Sequence, residues 1–68
     1  MNVWVVEREE WRPRLKRWDR RYFQERYLGA WYRSPRYATK YAEDQARAVA
    51  AGQLRLARAV PLIVALGR

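Results

Sequence analysis

Val3-Trp4-Val5-Val6 sets β-branched and aromatic residues side by side, and the charged run Glu7-Arg8-Glu9-Glu10 follows at once. This pattern predicts a short strand near 3–8 that the charges bring to an end. Farther along, Ala42, Ala46, Val49 and Ala50 recur at i, i+4, i+7 and i+8, a narrow stripe of small residues that predicts a helix near 40–51. Thr39 is its expected N-cap, Glu43 and Asp44 lie near the positive end of its dipole, and Gly52 supplies the stop. An Ala-rich face allows such a helix to lie close against a sheet. Past Gly52 the even positions Leu54, Leu56, Val60, Leu62, Val64 and Leu66 are apolar, with Arg58 the exception. Period two predicts a strand within 56–66, and Pro61, which cannot donate to a ladder, places it at an edge or a bulge. A helix over 53–60 ending at the proline is the alternative.

Two readings stay open for 11–28. Trp11, Leu15, Trp18 and Tyr22 fall on one face of a helix, with Arg14, Arg17 and Arg21 towards the other side. Pro13, the aromatic content and the lack of a preferred N-cap before Trp11 favour a hairpin. Gly29 and Ser34-Pro35 read as turns around a short strand near 30–33. The expected fold is therefore α+β, one small domain over 1–68. Its short antiparallel sheet has strands near 3–8, 30–33 and 56–66 and packs on one Ala-rich helix.

Charge sharpens this picture. The chain has 68 residues and a formal net charge of +8. Residues 11–41 carry Arg12, Arg14, Lys16, Arg17, Arg20, Arg21, Arg26, Arg33, Arg36 and Lys40 against only Asp19 and Glu25, so the whole +8 resides there. Every aromatic except Trp4 lies in the same segment. A GC-rich coding sequence would favour Arg over Lys, but it would not gather the charge into one stretch.

The chain has no Cys and no His. Zinc, iron–sulfur and haem centres draw mostly on those residues, and Ser-His or Cys-His nucleophile pairs require one of them. Glu7 and Glu9 would share a face of a strand and could in principle flank a Mg²⁺, but a solvated charged turn is the simpler reading. Glu43 and Asp44 serve the helix dipole, and Gly29, Gly52 and Gly67 are isolated rather than part of a phosphate loop. No catalytic residue, metal or cofactor is expected, and the chain is read as no enzyme. The run after Met1 is too short and too acidic in its flank for a secretory signal. The apolar stretch 59–66 is far short of the ~20 residues that span a bilayer. Val60-Pro61-Leu62-Ile63-Val64 is read as a buried strand rather than a membrane anchor, and an exposed edge there would invite pairing with a second copy. The expected location is the cytoplasm, with no membrane partner.

Binding is the chemistry that the composition favours. Arg alternates with rings in Arg17-Trp18-Asp19-Arg20-Arg21-Tyr22-Phe23 and in Trp31-Tyr32-Arg33-Ser34-Pro35-Arg36-Tyr37. Guanidinium forks match phosphate and carboxylate, and rings stack on unpaired bases or fill hot spots on proteins. At least two of the four Trp should be core, while so short a chain cannot enclose all nine aromatics of the segment, so some of Tyr22, Tyr27, Tyr32, Tyr37 and Tyr41 should be exposed. Arg17, Arg20, Arg21, Arg33, Arg36, Tyr32 and Tyr37 are the expected contacts. Reversing Arg20 and Arg21 to Glu is expected to leave folding nearly intact. The expected partner is a protein or ribonucleoprotein complex with an acidic surface, and nucleic acid bound directly through the same patch is the alternative.

Val3-Trp4-Val5-Val6-Glu7, then Trp11-Arg12-Pro13, Tyr27-Leu28-Gly29 and Tyr37-Ala38-Thr39 before an Ala-rich helix and a Val-rich strand, resemble small bacteriophage-encoded accessory proteins. That resemblance implies a β…βαβ layout, a host-cell cytoplasmic setting and a role in host interference. Proteins of that class, such as anti-CRISPR proteins and phage inhibitors of RNA polymerase, block a host assembly by occupying a surface. It carries over no functional residue.

Overall fold

The computed structural model describes residues 2–26, 29–53 and 56–67. Tyr27, Leu28, Leu54 and Arg55 therefore lie outside the described residues, as do the parts of the expectations that rested on them. The elements run β1 (Trp4–Arg12), β2 (Arg17–Gln24), β3 (Ala30–Tyr32), a 3-10 turn at Pro35–Tyr37, α1 (Glu43–Ala51), β4 (Ala57–Pro61) and α2 (Leu62–Leu66). The four strands form one antiparallel sheet in the order β3-β2-β1-β4. The α+β class holds.

Of the segment 11–28, the described residues up to Gln24 form the outer part of a hairpin, not a helix. β1 does not stop at the charged run but continues to Arg12, and it pairs with β2 from Glu7↔Tyr22 out to Arg12↔Arg17. The expected end at Glu7–Glu10 fails because charge does not break a strand when counter-charges stand beside it, here on the same strand and on both neighbouring strands. Pro13 occupies the second position of a turn in which the Leu15 N–H donates to the Arg12 carbonyl at 3.1 Å. Lys16 closes the connection at φ +51°, a left-handed conformation unusual for lysine.

Side chains alternate between the two sheet faces. Val6 of β1 and Ala46 and Ala50 of α1 form a core on one face, with Trp4, Phe23, Trp31 and Val49 packed against it. Val5, Tyr22, Val60, Ala38 and Ala65 form a second core on the other face, closed by α2 and the 3-10 turn. Trp4 and Trp31 are thus the two tryptophans that join the core, whereas Trp11 and Trp18 stay 49% and 64% exposed.

Three boundaries shift for local reasons. The helix begins at Glu43 with Ala42 as its N-cap, not at Lys40 with Thr39. Thr39 is occupied elsewhere: its hydroxyl accepts from the Glu25 N–H at 2.9 Å and donates to Gln24 Oε1 at 2.8 Å. Tyr41 meanwhile exchanges backbone hydrogen bonds with Trp4 at 2.8 and 2.9 Å. Ala42, expected in the buried stripe, is exposed. The period-two run at the C-terminal end also breaks, because β4 ends at Pro61 and residues 62–66 turn into a helix. Leu62 and Ala65, three apart, face the core, while Ile63, Val64 and Leu66 are exposed rather than members of a buried strand. The alternative helix over 53–60 gives way to β4 from Ala57 onward.

Pro61 does sit on an edge strand. The Leu62 N–H donates to the Val3 carbonyl at 2.7 Å, so in this antiparallel ladder residues 58 and 60 point their backbone groups at β1, and residues 57, 59 and 61 point theirs outward. The missing N–H of Pro61 therefore falls on the open side and costs the sheet nothing. No helix among the described residues is long and apolar enough to cross a membrane.

Candidate functional site

Both helices lie over the same half of the sheet. Beyond them the β1–β2 hairpin runs out as a two-stranded arm, and strand alternation sorts its charges. Arg8, Glu10 and Arg12 of β1 share the α1 face with Arg17, Asp19 and Arg21 of β2. Glu9 and Trp11 share the α2 face with Trp18 and Arg20, and Tyr32, directly across from Tyr22, belongs to that same face.

The seven residues expected to form one patch are thus divided. Arg17, Arg21 and Arg33 lie on the α1 face, where Arg33 lines a depression with Arg12, Asp19 and Arg21. Arg20 and Tyr32 lie on the α2 face, and the 3-10 turn brings Arg36 and Tyr37 to Tyr32, whose ring is 6.0 Å from that of Tyr37.

On the α1 face of the arm the charges of β1 and β2 pair largely with one another. Asp19 gathers Arg17 at 3.1 Å, Arg12 at 3.4 Å and Arg21 at 3.8 Å, while Glu10 pairs with Arg8 and, at 3.1 Å, with Arg12. The Arg8 guanidinium also lies 4.1 Å over the Trp31 ring, a cation–π contact that ties the arm to the core. Arg21 is structural here, with a side chain only 11% exposed against Asp19. Reversal to Glu would set two carboxylates together, so the expectation of nearly intact folding suits reversal of Arg20 better than reversal of Arg21.

Glu7 also departs from expectation. It is fully buried within β1 instead of lying in a solvated turn. It does share a face with Glu9, but Arg58 of β4 occupies the space a cation would need, at 2.8 Å from Glu7 and 3.4 Å from Glu9. Among the described residues no group of three or more acidic, Cys or His side chains is placed to hold a metal ion.

The α2 face is where unpaired charge meets exposed rings. Among the described residues Arg20 pairs with Glu9 alone, at 3.7 Å. Arg26, Arg36 and Lys40 make no ion pair among the described residues, and with Gln24, Tyr32 and Tyr37 they line a groove of about 460 Å³. The groove is built on fixed backbone. The Ser34 hydroxyl accepts from the Arg36 N–H at 3.3 Å, Gln24 Nε2 donates to the Tyr37 carbonyl at 2.7 Å, and Lys40 Nζ donates to the Arg36 carbonyl at 2.6 Å. The Thr39 N–H donates to the Phe23 carbonyl at 2.9 Å and holds the whole segment against the end of β2. Beside it the Tyr41 hydroxyl donates to Glu25 Oε2 at 2.9 Å. Burial, and then the Glu25 carboxylate as hydrogen-bond acceptor and like charge, pushes that phenol up to about 12.

Gln24, Arg26, Lys40 and the Trp11–Trp18 pair were not among the expected contacts. The pair was hidden by the helical spacing of Trp11, Leu15, Trp18 and Tyr22, which suggests a core stripe. The hairpin register instead sets Trp11 directly across from Trp18, with ring centroids 5.5 Å apart, near the tip of the arm. Reading 11–28 with period two would have placed Trp18, Arg20 and Tyr22 on one face. The lining by Arg26 and Lys40 depends on the fold of 34–41 and had no local signal. No protein-family model, curated protein or solved structure matches the chain.

Proposed function

We propose that the protein is a small, basic, non-enzymatic accessory or inhibitor protein that docks through an Arg/aromatic surface onto a host nucleic-acid-handling complex, in the manner of anti-CRISPR proteins. The docking surface is the α2 face, centred on Arg20, Tyr32, Arg36 and Tyr37. One observation supports this reading above the rest. Arg26, Arg36 and Lys40 stand around exposed Tyr32 and Tyr37 with no carboxylate partner among the described residues, so their charge is available to an acidic surface. Aromatic and Arg side chains dominate binding energy at protein interfaces, and a concentrated positive field accelerates encounter with an acidic partner. The α1 face contributes less to docking, because Arg12, Arg17 and Arg21 already serve Asp19 and Glu10, and Arg33 is left as its cation without a carboxylate partner among the described residues.

The test is recovery of the tagged protein from its host cell with and without nuclease digestion, beside an Arg36→Glu variant. Docking on a complex predicts a defined stoichiometric partner that survives digestion and is lost with Arg36→Glu. If digestion strips every partner away, this reading falls and direct nucleic-acid binding through the same face replaces it.

A further inference from the structure

Two pairs of exposed rings share the α2 face. Trp11 and Trp18 form one near the tip of the arm, and Tyr32 and Tyr37 form the other at its base. Trp18 precedes Tyr22 by four residues in β2, and Tyr32 lies directly across from Tyr22. At ~3.3 Å per residue and ~4.8 Å per strand, the strand positions of Trp18 and Tyr32, one from each pair, stand roughly 14 Å apart. Arg20 lies between them on the same face, and Arg36 adjoins the tyrosines. Trp18 and Tyr37 are 64% and 66% exposed, although rings of that size usually supply much of the core in so small a domain.

The spacing says what such a face fits. A stacked single strand advances about 3.4 Å per nucleotide, so roughly 14 Å covers about four nucleotides, the smallest of the known single-strand site sizes. Planar bases could then meet the rings at both ends while phosphates between them meet guanidinium groups. A duplex keeps its base faces inside the stack, and an acidic peptide supplies charge without planar rings at that repeat.

We propose that the α2 face is a binding site for single-stranded nucleic acid, with bases stacked on Trp18 and Tyr37 and phosphates held by Arg20 and Arg36. The inference goes beyond the docking reading above: it takes the same face as the contact surface and names an exposed strand, rather than a protein surface, as what that face grips.

The test is titration of the purified full chain with a decathymidylate, followed by tryptophan emission. The expected result is quenching, with affinity in the range ~1–100 µM at physiological salt. Trp18→Ala and Tyr37→Ala should each weaken binding about tenfold, the effect of losing one stacked base, and Trp18→Phe should keep most of it. Both side chains are exposed, so unchanged far-ultraviolet circular dichroism is expected for all three variants. A duplex of equal length should bind at least about tenfold more weakly, and polyglutamate should not compete.

Four results would overturn the proposal: no quenching up to about 100 µM, unchanged affinity in Trp18→Ala, equal loss in Trp18→Phe and Trp18→Ala, or a duplex bound as tightly as the single strand. A partner that survives nuclease while the titration fails would sink this inference and leave the docking reading intact. The reverse pair of results would do the opposite.

Discussion

Tyr22 and Trp18 stand four residues apart on the same face of β2, yet Tyr22 is 3% exposed and Trp18 is 64% exposed. The difference lies in what covers them. α2 and the 3-10 turn close over Val5, Tyr22 and Val60, and α1 closes the opposite face over Val6. Neither helix reaches the outer part of the hairpin. The covered half is held by apolar burial, at about 1.5–3 kcal/mol for each fully enclosed side chain. The arm is held by backbone ladder bonds, ring pairs and a chain of ion pairs through Glu10 and Asp19. Individually such pairs contribute little at a surface, so the arm's stability is borrowed from the covered half through a continuous β1 and β2. The arrangement leaves the arm free to present rings and cations that a core would have absorbed.

The sharpest way to test that division is to truncate the same kind of side chain on each side of it. Tyr22→Ala should cost about 3–5 kcal/mol of unfolding free energy, the usual range for emptying an aromatic site in a core. Trp18→Ala should cost no more than about 1.5 kcal/mol, the worth of its pairing with Trp11. Urea unfolding monitored by circular dichroism measures both. Similar losses for the two variants would mean that the arm is as much a part of the core as the covered half is.

The same division explains how much of the molecule could be read beforehand. Where burial is strong the pattern is strong: Val5 and Val6 marked β1, and Ala46 and Ala50 marked α1, while β3, half-buried, was marked by the turns that flank it. Where both faces of a strand are polar, period two leaves no trace. Glu7 to Arg12 therefore read as the end of a strand, although its charges are matched in space by Arg58 of β4, by Asp19 and Arg20 of β2 and by one another. Leu62, Val64 and Leu66 alternate by accident, and the packing of Leu62 and Ala65 under the Tyr22 core turned that stretch into a helix. The candidate site was legible in composition but not in arrangement. Tyr32, Tyr37, Arg20 and Arg36 do meet on one face, while Arg17, Arg21 and Arg33 belong to the other, a separation that follows only once the hairpin register is known.

Charge reversal separates the two faces of the arm by a smaller margin. Arg21→Glu places a new carboxylate against Asp19, in a position only 11% exposed, and should destabilise the fold by about 1–3 kcal/mol. Arg20→Glu, on the α2 face and 46% exposed, should stay within about 0.5–1 kcal/mol of the parent in the same urea assay. Equal destabilisation would show that the α2 face of the arm is as structurally committed as the α1 face, and its role as a contact surface would lose its support.

The smallest expected effect lies at the joint between the two regions. Tyr41 bridges to Trp4 through its backbone and donates its hydroxyl to Glu25 Oε2, which anchors the cation-bearing loop to the covered half. Its phenol is raised from the ordinary 10.0 to about 12, chiefly by burial and then by Glu25. In the unfolded chain the phenol loses its proton around pH 10, and in the folded protein it does so only around pH 12. Between those values the native state holds the extra proton, so the stabilisation is fully present below about pH 10 and drains away as pH rises towards 12. The other titrating Lys and Tyr side chains are common to the parent and a Tyr41→Phe variant, so their difference isolates this one group. The difference in unfolding midpoint should be constant up to about pH 10 and should shift in favour of the variant from there to about pH 12. A difference that stays flat across that window would mean that Tyr41 is not held in its hydrogen bond to Glu25, and that the loop carrying Arg36 and Lys40 is anchored by Thr39 and Gln24.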